Sequence, residues 1–236
     1  MMKFRGKHRK LCSVAGPLSC AVFLLFLWAP LSFAVKNTDE AFGVWNTYDI
    51  EKKMNDKIKM KVGEELRFKE GWGINYMETH LGLDYLHHKY LAVGADYQEI
   101  RSSRKVGKKA IWSWDNVPRI YAAPQAKIYG FDLSDRNMLE FHFKEDQENT
   151  VRYRNLVTLV APYRWTRFKF QPYSANEIFV ESNRNGFVED RFFNGFKFHL
   201  WDHLYGSIYY LRRFEKNSIG KWTDTNIFGT NIKYSF

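Results

Sequence analysis

The sequence predicts an all-β fold, an antiparallel transmembrane β-barrel of the bacterial outer membrane with about 12 strands, or alternatively 10, after a cleaved signal peptide. Three observations predict it: a basic and then apolar start, apolar and polar residues that alternate over segments of about ten residues, and an aromatic content of 18%. No segment repeats apolar residues at the helical spacing of three and four, so helices are not expected.

The first 34 residues have the composition of an export signal. An apolar run from Ala21 to Ala29 is followed by the small-x-small triplet Ser32, Phe33 and Ala34. The run is shorter than the roughly 20 apolar residues that a membrane span requires. We therefore predict a signal peptide at 1–34 and an outer-membrane β-barrel domain at 35–236. Five basic residues and no acidic residue precede the apolar run: Lys3, Arg5, Lys7, Arg9 and Lys10.

Removal of this segment lowers the net charge and the cysteine count of the mature chain. Of the net charge of +10, five charges lie in the segment, which leaves 202 residues with a charge of +5. A nucleic-acid partner is therefore not expected. Both cysteines, Cys12 and Cys20, are also removed, which excludes disulfides, Cys-ligated zinc and a Cys nucleophile in the mature chain.

The alternating segments are separated by short clusters of turn residues. A barrel with both termini on one side of the membrane needs an even number of strands, so the expected count is 12 or 10 although eleven segments are visible. The segment with Pro118 and Pro124 is the place where a strand has most readily been merged or missed in this count. A long polar loop is expected at Ser102 to Lys109. The segments are Phe42 to Lys52, Lys57 to Lys69, Gly73 to Leu86, Tyr90 to Arg101, Ile111 to Tyr129, Arg136 to Lys144, Thr150 to Ala161, Thr166 to Glu181, Gly186 to Leu200, Leu204 to Phe214 and Trp222 to Phe236.

The two faces of the segments distinguish a membrane barrel from its alternative, a soluble periplasmic sandwich. In the sixth segment Leu139, Phe141 and Phe143 alternate with Glu140 and His142. Large aromatic residues on one face and charges of both signs on the other suit a lipid-facing exterior and a polar lumen. Tyr and Trp near strand ends predict girdles at the membrane interfaces. Those residues are Trp45, Trp72, Tyr90, Trp112, Trp114, Tyr163, Trp165, Trp201 and Trp222.

The last segment carries the most specific local pattern. Phe228, Ile232, Tyr234 and Phe236 alternate with polar residues, and a terminal strand of this kind resembles the signal by which outer-membrane barrels are engaged by the barrel-assembly machinery. The expected partners are therefore that machinery, periplasmic chaperones, outer-membrane lipid and lipopolysaccharide.

Short motifs follow one another along nearly the whole mature chain: Gly43-Val44-Trp45, Glu64 to Phe68, Leu81 to Tyr85, Val117-Pro118-Arg119, Arg152 to Asn155, Ala175 to Phe179, Arg191 with Gly195, Tyr209 to Arg212 and Tyr234-Ser235-Phe236. In their order and spacing, these motifs resemble a family of bacterial outer-membrane proteins known as domain of unknown function 2490. The resemblance implies an outer-membrane barrel and no established activity, ligand or catalytic residue.

The polar faces supply the candidate site residues. Charges of both signs on neighbouring strands predict cross-strand ion pairs that fill a narrow lumen, and hence a structural barrel of unknown activity without a cofactor. An alternative is a narrow channel for small solutes, in which Arg119, Arg152, Arg154 and Arg191 favour anions. The lumen-lining candidates are Glu65, Arg67, Glu78, His80, Arg119, Glu140, His142, Arg152, Arg154, Glu177 and Arg191.

A second alternative is an enzyme of the membrane surface that hydrolyses lipid or peptide. Glu78 with His80, or Glu140 with His142, could act as orienter and base, but no Ser adjoins either pair in the sequence. No metal site is expected, because the histidines near predicted turns do not supply three or four ligands from one element. A basic tract in the predicted long loop could bind lipopolysaccharide phosphates: Arg101, Arg104, Lys108 and Lys109.

Overall fold

The computed structural model describes residues 41–69, 73–106, 109–145, 147–184, 186–217 and 219–236, so the predicted signal peptide lies outside the described residues. No helix in these ranges is long and apolar enough to cross a membrane. The described chain forms eleven strands: β1 (Ala41–Lys53), β2 (Ile58–Lys69), β3 (Gly73–His88), β4 (Leu91–Val106), β5 (Lys109–Ile128), β6 (Phe131–Lys144), β7 (Thr150–Val160), β8 (Gln171–Glu181), β9 (Gly186–Trp201), β10 (Leu204–Lys216) and β11 (Trp222–Ser235).

The strands form one closed barrel, which confirms the predicted all-β barrel. Each strand pairs antiparallel with the next in sequence, and β11 closes the barrel by pairing with β1 in parallel, with Ala41 opposite Thr225 and Glu51 opposite Ser235. The count of eleven equals the number of alternating segments and is one fewer than the expected 12. An even number is needed only if every pair is antiparallel; the parallel pair removes that requirement.

The prolines of β5 do not divide that strand. Pro118 and Pro124 both lie within β5 and pair with Tyr97 and Leu91 of β4. On the other side, the pairing with β6 is interrupted at both prolines, because proline has no N–H group to donate to the ladder. The segment at which the strand count was expected to be in error is therefore one strand, with local gaps in its hydrogen bonding to β6.

The predicted long loop at Ser102 to Lys109 is wrong. β4 continues to Val106 and β5 begins at Lys109, with Arg104 opposite Ile111, so most of this segment is a hairpin that extends the two strands. Of the basic tract, Arg101 is engaged: it donates to Glu99 at 2.7 Å and lies 4.0 Å from the centre of the Trp114 ring. Lys108 lies outside the described residues. We call the end of the barrel with this hairpin the hairpin rim.

The opposite end, which we call the turn rim, carries the β1–β2 turn. There the side-chain oxygen of Asn55 accepts from the backbone N–H groups of Lys57 and Ile58, both at 2.8 Å, which closes the turn. Tyr129 and Gly130 connect β5 to β6 and both have positive φ, as a two-residue hairpin turn of type I′ requires.

The two faces of each strand differ as the alternation predicts. In β6, Leu139 is 39% exposed whereas its neighbours Met138 and Glu140 are 2% and 0% exposed. Contacts between strands that are not neighbours show which face points inward. His80 of β3 reaches Asp49 of β1 over Gly63 of β2, and side chains two strands apart converge in this way on the concave inner face.

Part of the interior is apolar, which the sequence reasoning did not anticipate. Leu211 and Ile227 are fully buried, and Trp45 is 6% exposed. The prediction that Trp45 belongs to an interfacial girdle is therefore wrong: its ring points inward, on the same face of β1 as Asp49. This apolar cluster consists of Trp45, Val160, Tyr173, Phe193, Tyr209, Leu211 and Ile227.

A glycine on β11 makes room for one member of this cluster. Tyr209 pairs with Gly229, and its ring lies directly against the glycine, so that a Cβ atom at position 229 would overlap the ring carbons. The tyrosine can lie flat across the interior because this position has no side chain.

Candidate functional site in the barrel interior

The charged residues of the interior form two groups, and the first is built around glutamates near the middle of the barrel. Glu140 of β6 accepts hydrogen bonds from Arg152 Nε at 2.5 Å and from Arg154 Nη1 at 3.2 Å. Arg119 lies 3.8 Å from the same carboxylate. One fully buried carboxylate thus faces three guanidinium groups, an arrangement in which charge-assisted hydrogen bonds offset the cost of burial.

Two further glutamates continue the group along β8 and β9. Glu177 accepts from Arg154 Nε at 2.5 Å and from Arg191 Nη1 at 3.4 Å. Glu189 accepts from Arg191 Nε and Arg213 Nε, both at 2.6 Å. Every arginine of this group lies within 4.0 Å of two carboxylates, and the second partner of Arg213 is Glu215 at 2.9 Å. We call the set the arginine cluster: Arg119, Arg152, Arg154, Arg191 and Arg213 with Glu140, Glu177 and Glu189.

Aromatic rings hold several of these guanidinium groups in place. Phe179, which is fully buried, has Arg191 at 4.4 Å and both Arg152 and Arg154 at 5.2 Å from its ring centre. Cation–π contacts of this kind are strongest where water is excluded. Sequence reasoning missed Phe179, although its even spacing from Glu177 on β8 places it on the same face.

Arg67 is held separately. Its guanidinium lies between two rings, 3.9 Å from the centre of Trp45 and 3.8 Å from the centre of Tyr76, and its Nε donates to Glu65 at 2.5 Å. Glu78, on the same face of β3 as Tyr76, accepts from the Tyr76 hydroxyl at 2.7 Å and from Gln98. Both faces and one edge of this guanidinium are therefore occupied.

The second group lies toward the turn rim and is built from lysines and aspartates. Lys61 Nζ donates to the Tyr121 hydroxyl at 2.5 Å and lies within 3.4 Å of both Asp84 and Asp96. Because Lys61 is on β2 and Tyr121 is on β5, this bond spans the interior. Lys59 pairs with Asp84 at 3.3 Å. We call Lys59, Lys61, Asp84, Asp96 and Tyr121 the lysine cluster.

The two candidate histidines are both enclosed by carboxylates. His142 Nδ1 lies 2.6 Å from Asp115, and its Nε2 lies 3.4 Å from Glu140. His80 Nε2 lies 3.1 Å from Asp49, and its Nδ1 lies 3.7 Å from Glu78. A general base for hydrolysis must reach a nucleophile with one ring nitrogen. In the described residues both ring nitrogens of each histidine face acids, which favours ion pairing over catalysis.

A cavity of about 470 Å³ opens from the hairpin rim into the barrel. Lys69, Glu145 and Arg184 line its mouth, and its deeper wall includes Arg154 and Arg191 of the arginine cluster. None of the described residues that line it belongs to the lysine cluster. The interior thus has a polar vestibule on one side and packed side chains on the other.

The remaining predicted residues lie on the surface of the barrel. Phe228, Tyr234 and Phe236 are exposed on or directly after β11, and Ile232 shares the outward face of that strand. His87, His88 and His203 are exposed near the turn rim. Within the ranges that the structure describes, no group of three or more His, Cys, Asp or Glu side chains is placed to hold a metal ion.

Comparison with known proteins gives one match. The family model described as a protein of unknown function (DUF2490) matches residues 42–224, from the first strand to the beginning of the last. No curated protein and no solved structure is similar enough to match the chain. The family match covers more than half of the chain and nearly the whole barrel, and the chain therefore belongs to the DUF2490 family of proteins of unknown function.

Proposed function

We propose that the protein is an integral β-barrel of the bacterial outer membrane with a closed, charge-filled lumen. One observation carries the proposal: large apolar side chains are exposed on the outer face of the barrel, whereas charged side chains are buried inside it. Leu81, Leu83 and Ile120 are each more than half exposed on the outside, while Glu140 and Glu177 are at most 1% exposed inside. Apolar surface of this extent is unfavourable in water and favourable against lipid.

The rims support the same proposal. Trp112 and Trp114 are exposed near the hairpin rim, and Trp165 and Trp201 are exposed near the turn rim. Tryptophan favours the boundary between hydrocarbon and water because its ring is apolar and its N–H can hydrogen-bond. Two bands of exposed tryptophans, one at each end of an apolar wall, match the two interfaces of a bilayer.

Strand β11 supports the proposed encounter with the assembly machinery. Phe228 and Tyr234 are each 44% exposed on the outer face of the closing strand. Their exposure makes these side chains available to an assembly factor, and lipid would contact them once the barrel is inserted. Outer-membrane lipid and lipopolysaccharide are the proposed surroundings of the mature barrel.

The lumen is the part that bears on activity. The arginine cluster fills the middle of the barrel, and the lysine cluster packs between it and the turn rim. Small barrels hold side chains rather than an open aqueous channel. We therefore propose a structural barrel whose vestibule at the hairpin rim ends at the arginine cluster.

Membrane insertion is tested by heat-modifiable mobility. Detergent-extracted protein should migrate faster on a gel before boiling than after it, and it should fractionate with the outer membrane. Leu81→Arg, near the middle of β3, should lower the free energy of unfolding in lipid vesicles by about 2–4 kcal/mol. Val151→Arg, an exposed residue on the outer face of β7 at the hairpin rim, is the matched control and should cost about 0–1 kcal/mol. Unchanged mobility on boiling, together with equal costs for the two variants, would favour the soluble alternative.

A narrow anion channel is the second candidate function, and the vestibule favours it because Arg154 and Arg191 line its deeper wall. Planar-bilayer recording separates the two candidates. The closed barrel should give no steady single-channel current. If a current is present, Arg191→Ala should reduce its preference for chloride over potassium, whereas Leu139→Ala on the outer wall should leave it unchanged.

A further inference from the structure

The outer wall of the barrel is not apolar throughout. Polar pairs such as Glu64 with Thr79 lie on it, and a larger group of amide and carboxylate side chains lies on β6 to β9. Asn155 is the central residue of β7, and Asn176 is the central residue of β8. By contrast, the outward residue near the middle of β3 is Leu81, which is 54% exposed. We call Asp135, Asn137, Asn155, Asn176 and Asn194 the amide patch.

Alternation along the strands shows that the patch faces outward. Asn155 shares its face of β7 with Val151, which is 41% exposed, whereas the adjacent Arg154 points into the arginine cluster. Asn194 likewise shares its face of β9 with Phe196, which is 39% exposed. All five patch residues are half-buried, so their side chains remain partly open to the surroundings of the barrel.

Hydrogen bonds inside the patch satisfy only some of its polar groups. Asn155 Nδ2 donates to Asp135 Oδ1 at 2.5 Å and to Asn137 Oδ1 at 3.2 Å, and Asn176 Nδ2 donates to Asp190 at 2.7 Å. Among the described residues, the amide nitrogens of Asn137 and Asn194 have no acceptor and Asp135 Oδ2 has no donor. Hydrocarbon offers no hydrogen bonds, and an unsatisfied polar group there costs several kcal/mol.

We propose that the amide patch is the contact between two copies of this chain in the membrane, an inference that rests on the proposed outer-membrane location. The patch presents free N–H donors and a free carboxylate acceptor at the same depth. A two-fold axis normal to the membrane sets such a surface against itself, so that the donors of each copy meet the acceptors of the other. The patch is therefore complementary to itself, and its pairing removes polar groups from lipid.

Cysteine cross-linking tests this contact. The described residues contain no cysteine, so Asn137→Cys, Asn155→Cys, Asn176→Cys and Asn194→Cys each introduce one thiol into the barrel. In outer membranes treated with a bismaleimide, at least one of the four should give a band of twice the monomer mass. Leu81→Cys on the apolar wall and the unsubstituted chain are the controls and should give none.

The mass of the particle gives an independent measurement. Light scattering of the detergent-extracted protein should give two copies per particle. Asn155→Leu combined with Asn176→Leu should raise the dissociation constant at least tenfold while keeping the heat-modifiable mobility. The matched control Leu81→Ile should change neither measurement.

Three outcomes would overturn the proposal: a particle with one copy and no cross-link at any patch position, equal cross-linking at Leu81→Cys, or cross-links from the patch to a different protein. Heat-modifiable mobility separates these outcomes from a failure of the membrane proposal. A one-copy particle that still shows the gel shift refutes the contact between copies and leaves the barrel intact.

Discussion

The arginine cluster and the apolar cluster fill neighbouring parts of the same interior by opposite means. Glu140 is fully buried and is held by three arginines, whereas Leu211 is equally buried and is held by contact with other apolar side chains. Apolar packing stabilises in proportion to the area removed from water, but a buried charge stabilises only while its partners remain in place. This difference predicts that single substitutions lower the free energy of unfolding most where one carboxylate pairs with several arginines.

The largest expected effect is at the centre of the arginine cluster. Glu140→Ala leaves Arg119, Arg152 and Arg154 without one of their carboxylates, and breaking a buried pair typically costs about 3–5 kcal/mol. The loss should be measured as the free energy of urea unfolding in lipid vesicles, followed by tryptophan fluorescence. Glu64→Ala, a glutamate with an exposed hydrogen bond to Thr79, is the control. If the two variants lose equal stability, the arginine cluster does not stabilise the barrel.

The apolar cluster should respond almost as strongly. Leu211→Ala removes a fully buried side chain and leaves a cavity, and such changes cost about 2–5 kcal/mol. Leu211→Met, which nearly conserves volume, should cost less than about 1.5 kcal/mol in the same unfolding measurement. Because no charge is uncovered, the loss from Leu211→Ala should not depend on salt concentration. A marked salt dependence would mean that the arginine cluster is disturbed as well.

A smaller effect is expected where the apolar cluster meets β11. Gly229→Ala places a Cβ atom against the ring of Tyr209, and overpacking of this kind costs about 1–3 kcal/mol. Tyr209→Ala removes the ring, so the penalty of Gly229→Ala should largely disappear in that background. The double-mutant cycle measures this coupling directly. Additive losses in the cycle would exclude the ring contact as the cause.

The smallest effect is expected outside both clusters. Lys53 and Asp56 pair at 2.9 Å in the β1–β2 turn, where both side chains are exposed. The hydrogen bond from the Lys53 ammonium lowers the pKa of the Asp56 carboxyl, so any contribution of the pair is present at neutral pH and is lost as the pH falls through that pKa. Asp56→Asn should leave the unfolding midpoint at neutral pH unchanged within error, as for most exposed pairs. A clear shift would show that the turn stabilises the barrel as much as its interior does.

The sequence alone was sufficient for much of the fold because strand periodicity is a local property. Alternation placed eleven segments, and these match the eleven strands closely, although the segment read from Thr166 begins as a strand only at Gln171. Turn chemistry was less reliable: the polar run from Ser102 to Lys109 was interpreted as a loop, yet its backbone pairs as a hairpin. Composition cannot distinguish a solvated loop from a solvated hairpin, because both expose polar side chains.

The residues that face the interior were predicted from the sequence, because strand alternation is local, but their pairing was not. Alternation assigns Glu140, Glu177 and Arg191 to one face of their strands, and that face points inward. It does not reveal which arginine meets which glutamate, because those distances depend on the tilt and register of the whole barrel. Trp45 shows the limit most clearly: a tryptophan near a strand end suits a membrane interface, and only its pairing with Arg67 places it inside.

What the sequence by itself determined is the class of fold, the polarity of each strand face and the family, because these depend on residue order along single strands. The tertiary structure decided the parallel closure by β1 and β11, the mixture of apolar and charged side chains in the interior, and the outward amide patch. Each of these depends on which strands become neighbours and at what register, and local periodicity does not encode that information.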